Sequence, residues 1–127
     1  MELHLDGKLA LITGSTKGIG KAIAMEMARE GTNVIINGRR AADVQKVVDE
    51  IKTQFPKTHP QGAPFDITDD KSRQGLFEKF PEVDILVNNM GIFGNMEYWD
   101  IDDETWERYF RTNVLAGNAL AKFYMLH

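Results

Sequence analysis

The sequence predicts an α/β fold in which helices cover both faces of a parallel sheet. Two patterns alternate along the chain: short apolar or β-branched runs, and longer segments with apolar residues at helical spacing. Several glycines stand where the first apolar run meets the first helical segment. The 127 residues are 43% hydrophobic and 27% charged, which suits one domain with a packed core.

Two strands and two helices are predicted before Pro56. Residues 8–13 (KLALIT) are an apolar run suited to a buried parallel strand, and residues 17–30 follow with apolar side chains at helical spacing. Residues 33–37 (NVIIN) are the second predicted strand. Residues 42–55 place their apolar side chains on one helical face, and the proline after them ends this helix.

The second half of the chain continues the alternation. Residues 62–66 (GAPFD) predict a strand at a sheet edge, because Pro64 has no N–H to donate to a neighbouring strand. Residues 69–80 predict a helix, and residues 83–88 (VDILVN) predict a strand. A long helix is expected from about Asp102, whose side chain suits the helix N-terminus. Together these elements predict a doubly wound parallel sheet.

The glycine-rich segment TGSTKGIG lies where the first strand passes into the first helix. A helix N-terminus offers N–H donors and positive potential to a pyrophosphate, and glycines allow close approach. Gly14 would allow the turn, Gly18 the approach of phosphate, and Gly20 the packing of helix on sheet. An NTPase P-loop is excluded, because Ser15 replaces its first glycine and Ala22 its final Ser/Thr.

Four segments in order resemble the short-chain dehydrogenase/reductase family. They are LDGKLALITGSTKGIG, FDIT, VDILVNNMG and RTNVLAG. The resemblance covers essentially the whole chain but only the first half of a family member, and Met90 stands where the family most often has alanine. It implies a Rossmann-like doubly wound parallel sheet of strand order 3-2-1-4, truncated before the later strands. Residues 1–127 would form a single NAD(P)-binding domain.

The resemblance also implies the residues of a cofactor site. The glycine segment would hold the pyrophosphate and the nearby ribose. Asp66 and Ile67 would contact the adenine, and Asn89 and Gly91 would lie along the cofactor ribose. The expected cofactor-binding residues are Thr13, Gly14, Thr16, Lys17, Gly18, Ile19, Gly20, Arg39, Asp66, Ile67, Asn89 and Gly91.

The end of the second strand favours NADP(H) over NAD(H), although NAD(H) stays open. An NAD site would place an acid there to bind the ribose hydroxyls, and this chain has Gly38, Arg39 and Arg40 instead. A guanidinium can bind the 2′-phosphate of NADP with two parallel hydrogen bonds. Lys17 could reach the same phosphate. The alternative is a solvated turn, which is the favoured interpretation for Arg40.

The catalytic set that the family resemblance implies is incomplete here. Asn113, in RTNVLAG, matches the family's catalytic asparagine. The family's Tyr-x-x-x-Lys is absent, since neither Tyr98 nor Tyr109 has a lysine four residues later and Tyr124 is too near position 127. The expected reaction is hydride transfer between NADP(H) and a carbonyl or secondary alcohol. The alternative is a catalytically inactive NADP-binding fragment or interaction protein.

A third hypothesis, a Rossmann-like methyltransferase, is disfavoured because the second strand lacks an acid for ribose. The net charge of −4 argues against nucleic acid or an anionic membrane as main partner. Without cysteine there is no disulfide or thiolate site, and the three histidines lack metal-ligand spacing, so no metal is expected.

The N-terminal residues do not resemble a signal peptide and no apolar run could span a bilayer, so a cytoplasmic location is expected. The expected partners are a small carbonyl or alcohol substrate and further copies of the chain, as dimer or tetramer. The long final helix carries an apolar side that includes Trp106 and Phe110. The resemblance implies that this helix packs against a partner subunit.

Overall fold

A computed structural model describes residues 4–89 and 102–126 of the protein. The strands are β1 (Leu9–Ile12), β2 (Asn33–Gly38), β3 (Gln61–Pro64) and β4 (Ile85–Val87). The helices are α1 (Gly18–Arg29), α2 (Ala41–Gln54), α3 (Asp70–Lys79), α4 (Asp103–Phe110) and α5 (Ala116–Leu126), and a π-helical turn (Arg111–Leu115) joins the last two. The predicted strands and helices are therefore present, with ends that shift by at most two residues.

The four strands form one parallel sheet in the order β3-β2-β1-β4. Leu9 of β1 is aligned with Asn33 of β2, and Ala10 is aligned with Ile85 of β4. The strand order and the parallel pairing confirm the predicted doubly wound arrangement. β3 is an edge strand and ends at Pro64, as the missing N–H of proline requires.

The core has two layers, one on each face of the sheet. Side chains alternate along a strand, so Ala10 and Ile12 lie on one face and Leu11 on the other. The first layer packs against α1 and α2 through residues such as Ala24 and Val47. The second packs against α3 and α5 through the residues Leu76 and Leu120, which are fully buried. Helices on both faces are thus confirmed.

Aromatic side chains join α3 to α5. The rings of Phe77 and Phe123 stack with centroids 3.9 Å apart, and the ring of Tyr124 meets both edge-on. The Tyr124 hydroxyl donates a hydrogen bond of 2.9 Å to the carbonyl of Phe80. Burial raises the pKa of Tyr124 to about 12. This tyrosine therefore has a structural role at the end of α3.

The apolar side of the long final helix is only partly buried. The sequence places Trp106, Phe110, Val114, Leu120 and Tyr124 on one side, yet Leu120 is buried while the first three are about half-exposed. The reason is that α5 packs on α3 and the sheet, whereas α4 extends beyond this contact. None of the described helices is both long and apolar enough to cross a membrane.

Candidate functional site

The ends of all four strands bring polar loops to one edge of the sheet. The glycine loop (residues 13–20) follows β1, and Gly38 and Arg39 end β2. Asp66 follows β3, and Asn89 follows β4. Because the strands are parallel, these segments share the carboxyl edge, where open α/β sheets bind their ligands. β1 lies between β2 and β4, so the chain reverses its direction across the sheet at the glycine loop.

The glycines of this loop have distinct structural roles. Gly14 and Gly18 have φ angles of 58° and 61°, in the left-handed region that favours glycine. A Cβ at Gly20 would meet the carbonyl oxygen of Gly14 and would lie 2.5 Å from Nδ2 of Asn89. Around a Cβ at Gly18 there is open space for 4 Å. The loop thus turns, packs closely on one side and is open on the other.

The N-terminus of α1 lies on this open side, and its first turn contains no acidic side chain. Lys17, its N-cap residue, makes no capping hydrogen bond with its side chain, and the first turn contains no acidic residue. The partial positive charge of the helix end is therefore not offset by a carboxylate in that turn. Lys17, Gly18 and Ile19 are exposed, and 74% of Ile19 is accessible to solvent. This end of α1 has the donors and potential that suit a phosphate group.

Thr13 and Asn89 connect the glycine loop to β4. The Asn89 N–H donates to the Thr13 hydroxyl at 3.0 Å, and this hydroxyl donates to the carbonyl of Val87 at 3.4 Å. The Asn89 amide donates to the carbonyls of Thr13 and Gly14 at 3.3 and 3.2 Å. Thr13 is fully buried, and its neighbour Thr16 is half-buried. Asn89 therefore holds the start of the glycine loop against the end of β4.

Asn88, by contrast, points to the last helix. Its Nδ2 donates to the carbonyl of Gly117 at 3.3 Å. This contact fixes the position of the α5 N-terminus beside the end of β4, which agrees with the structural role expected for an asparagine at a strand end.

Asp66 and Ile67 form the turn after β3. Oδ1 of Asp66 accepts hydrogen bonds from the N–H and the hydroxyl of Thr68, at 2.9 and 2.6 Å. The Asp66 N–H donates to the Ser72 hydroxyl at 2.7 Å. The Ile67 side chain is buried in the core, and its carbonyl accepts from Arg73 at 2.7 Å. Asp66 thus has a defined orientation, and Ile67 can meet a ligand only through its backbone.

Three cations surround the end of β2. Arg39, Arg40 and Lys17 are all exposed, and no ion pair among the described residues includes them. A Cβ at Gly38 would lie 2.6 Å from Cγ2 of Thr16, so the glycine loop and the end of β2 are in close contact. Lys21, the next cation on α1, pairs with Glu50 of α2 at 2.8 Å. The site edge is therefore positively charged at β2.

Asn113 lies in the π-helical turn between α4 and α5. It is exposed, whereas its neighbour Thr112 is buried. It precedes Gly117, the α5 partner of Asn88, by about one helical turn. π-Helical turns occur frequently at functional sites. Two residues of interest, Met90 and the predicted site residue Gly91, lie outside the described residues.

Sequence reasoning missed two polar residues that shape this edge, Ser15 and Asn37. Both are fully buried. The Ser15 hydroxyl donates to the carbonyl of Ile12 at 2.7 Å and accepts from the Asn37 N–H at 2.9 Å. The sequence did contain a signal for Asn37, because this residue follows three apolar residues in NVIIN. A buried amide at such a position requires hydrogen-bond partners.

Two further features lie apart from this edge or are absent from it: the hydrogen bond of Tyr124, and a group of side chains that could bind a metal, of which the described residues have none. Tyr124 bonds to Phe80, which follows α3 and lies toward the amino edge of the sheet. Across residues 4–89 and 102–126, no three His, Asp or Glu side chains are grouped so that they could hold a metal.

The fold and this edge define a dinucleotide-binding type of α/β protein, and comparison with known proteins gives the family. The short chain dehydrogenase model matches residues 8–125. The chain belongs to the short-chain dehydrogenase family, whose members are oxidoreductases.

Among relatives, the uncharacterized oxidoreductase YvaG of Bacillus subtilis (strain 168) is 50% identical over 125 residues, which are 98% of this chain and 47% of that protein. L-sorbose reductase of Gluconobacter frateurii, solved with NADPH and L-sorbose, superposes with a TM-score of 0.89 at 30% identity, covering 96% of this chain and 48% of that one. YwfH, an NADPH-dependent reductase involved in bacilysin biosynthesis, gives a TM-score of 0.84 at 25% identity, over 92% and 51%. The chain thus spans about half the length of these relatives.

Proposed function

We propose that this chain is the NADP(H)-binding part of a short-chain dehydrogenase/reductase, a single domain over residues 1–127. The observation that carries the proposal is the end of β2, where Arg39, Arg40 and Lys17 are exposed and no acid is present. A carboxylate there would repel a 2′-phosphate, whereas Arg39 can bind it with two parallel hydrogen bonds. The NADPH bound to L-sorbose reductase supports the same choice.

Each part of the carboxyl edge has a proposed role in holding the dinucleotide. The N-terminus of α1 would receive the pyrophosphate through its free N–H groups. Thr16, Gly18 and Ile19 would lie along it, on the open side of the glycine loop. Thr13, Gly14 and Gly20 would set the shape of that loop.

The two outer strands would hold the ends of the dinucleotide. Asp66 and the Ile67 backbone would meet the adenine, because they form the turn at the end of β3. Asn89 and Gly91 would lie along the ribose nearer the nicotinamide, after β4. Asn89 would contribute mainly by holding the glycine loop, since its amide already donates to two loop carbonyls.

The proposed reaction of the whole protein is hydride transfer between the nicotinamide and a carbonyl or secondary alcohol. The bound cofactor would supply or accept the hydride. Asn113 is the member of the family's catalytic set within this chain, and its exposed position near the α5 N-terminus suits a residue that orients a polar group. The family's Tyr-x-x-x-Lys does not occur in the 127 residues.

That absence favours a second candidate for the 127-residue chain by itself, an NADP-binding protein without reductase activity. A phenol of pKa near 10 needs a neighbouring cation to act as acid and base near neutral pH, whereas burial raises the pKa of Tyr124 to about 12. NADPH oxidation assays with a carbonyl panel distinguish the two. Binding without turnover supports the second candidate, and turnover supports the enzyme.

Fluorescence titration with NADPH and NADH tests the cofactor assignment. We expect NADPH to bind more tightly by about tenfold or more, since a charge-assisted bidentate contact gives at least that difference. Arg39→Ala should remove most of the difference and leave NADH affinity unchanged. Arg40→Ala is the control, because it removes the same charge at the next residue, which the sequence favours as part of a solvated turn. Equal wild-type affinities would contradict the NADP(H) preference, and no binding of either would contradict the whole assignment.

A homo-oligomer is the proposed assembly, with α4 at the interface. Trp106, Phe110 and Val114 are 49%, 53% and 49% exposed, an apolar stripe in an otherwise charged surface. The N-terminal end of α4 is acidic and its C-terminal end is basic. Two copies packed antiparallel about a two-fold axis would place these opposite charges together. The expected cytoplasmic location stays a prediction.

A further inference from the structure

Asn37 is the second-last residue of β2, and its side-chain amide is fully buried beside the glycine loop of the proposed site. The preceding strand residues, Val34, Ile35 and Ile36, are apolar and also fully buried. A buried amide is costly unless protein groups satisfy its hydrogen bonds. Its partners therefore show what this side chain is positioned to do.

The two ends of the Asn37 amide contact two different loops. Oδ1 accepts a hydrogen bond of 3.2 Å from the N–H of Gly14, in the glycine loop. Nδ2 donates to the carbonyls of Ala63 and Phe65, both at 3.0 Å, at the end of β3. Two carbonyl oxygens require the NH₂ end, so the orientation of the amide is determined by its partners.

The β3 contacts lie where the pairing of β2 with β3 ends. Pro64 stands between Ala63 and Phe65, is paired with Gly38, and has no N–H to donate to β2. The Asn37 amide binds the carbonyls on both sides of this proline. Phe65 leads directly into Asp66, so this side chain fixes the start of the turn proposed to meet the adenine.

The Asn37 backbone holds the glycine loop as well. Its N–H donates to the Ser15 hydroxyl at 2.9 Å, and its carbonyl accepts from the Ser15 N–H, also at 2.9 Å. Together with the bond to Gly14, three contacts join one residue of β2 to the loop after β1. One buried residue thus contacts both the glycine loop and the end of β3.

We propose that Asn37 is a positioning residue for the dinucleotide. Its amide couples the glycine loop to the turn after β3, so that the pyrophosphate and adenine parts of the ligand meet two segments already fixed relative to each other. This inference rests on the proposed function and adds to it a residue that does not touch the ligand. A residue serving only core stability would not affect the two halves of the ligand differently.

Asn37→Leu tests this coupling, because leucine fills similar volume without hydrogen bonds. We expect the Kd for NADPH and for adenosine 2′,5′-bisphosphate to rise about tenfold or more, as the loss of ordinary hydrogen bonds predicts. The Kd for reduced nicotinamide riboside, which has no phosphate to meet the glycine loop, should change by less than about twofold. The control is Val47→Ala, an apolar core change on α2 that removes no hydrogen bond and should leave all three constants unchanged.

Hydrogen exchange of the ligand-free protein gives a second readout. Asn37→Leu should speed exchange by about tenfold at Gly14 and at residues 65–68, relative to the rest of the sheet, because these segments lose a restraint. Val47→Ala should not affect these segments selectively. If Asn37→Leu does not fold, Asn37→Ala removes the same side-chain hydrogen bonds without adding apolar bulk, and should speed exchange at Gly14 and at residues 65–68.

Unchanged NADPH affinity in a folded Asn37→Leu protein would overturn the inference, as would equal losses in Val47→Ala. An absence of selective exchange at both segments would also overturn it. A wild-type protein that binds no dinucleotide refutes the proposed function, and the exchange experiment then decides the coupling independently.

Discussion

Gly20 shows how one residue without a side chain allows two elements to meet. A Cβ there would press against the carbonyl oxygen of Gly14 and lie 2.5 Å from Nδ2 of Asn89. The first contact is with backbone, which cannot move away without changing the turn. The second is with the amide that braces the loop. The close approach of α1 to the end of β1 therefore depends on this glycine.

Gly20→Ala should lower the free energy of unfolding by about 1–3 kcal/mol, the usual cost of overpacking, and weaken dinucleotide binding. The control is Gly117→Ala on α5, where a Cβ would lie at an ordinary 3.6 Å from Asn88. That variant should be as stable as the wild type or more so. Urea denaturation measures both. A Gly20→Ala protein of wild-type stability would show that the loop relaxes freely.

Tyr124 gives a prediction for alkaline pH. Its pKa is raised to about 12 by burial, above the ordinary value of 10.0, so the folded state keeps the proton longer than the unfolded state does. Its contribution to stability is full below pH 10 and is lost as the pH rises toward 12. Absorbance at the phenolate band should show one late titration in the wild type that Tyr124→Phe lacks. A residue titrating near its ordinary pKa would contradict the burial argument.

At the scale of elements, the helix ends differ in how they are capped. Asp69 begins α3 by accepting from the Ser72 N–H at 2.9 Å, and Asp102 begins α4 by accepting from the Thr105 N–H at 2.7 Å. The hydrogen bond from Thr105 lowers the pKa of Asp102. The N-cap of α1, Lys17, makes no such bond. The N-cap of α2, Arg40, makes none either, so the two helices that begin beside the proposed site both have N-terminal N–H groups without a side-chain cap.

Asp69→Ala should lower the free energy of unfolding by about 1 kcal/mol, the usual cost of losing an N-cap. Glu78→Ala, an exposed change of the same charge near the other end of α3, is the control and should change stability little. Thermal or urea unfolding compares the two variants. Equal effects would mean that charge, and not the cap, is what stabilises α3.

The type and order of the elements could be predicted, because local periodicity decides them. Residues 17–30 and 42–55 carry their apolar side chains at helical spacing, and both are helices. The presence of Pro64 correctly predicted that its strand lies at the edge of the sheet. The burial of the final helix was not predictable in the same way. The same apolar spacing runs through Phe110 and Leu120, and only the neighbours of α5 decide which of them is covered.

For the whole molecule, the surface of α4 is the feature that remains uncovered. The apolar stripe of Trp106, Phe110 and Val114 is half-exposed, and among the described strands β4 pairs only with β1. Apolar surface of this kind on a helix favours association. The proposed homo-oligomer would cover this stripe.

Phe110→Glu should shift the protein from oligomer toward monomer in light scattering coupled to size exclusion, because it places a charge in the apolar stripe. Gln74→Glu on α3 makes the same change of charge on an exposed polar position and should leave the mass unchanged. A monodisperse wild-type monomer would count against association through α4.

The sequence alone determined the α/β class, the strand order through its family resemblance, and the glycine loop, because these depend on periodicity and on conformations that glycine adopts. The predicted cofactor-binding residues between Thr13 and Asn89 lie at one edge because parallel strands end together. Only the tertiary structure decided which polar groups meet there. The Asn37 amide and the Asn89 amide find partners 23 or more residues away in sequence, and such pairings leave no local pattern to read.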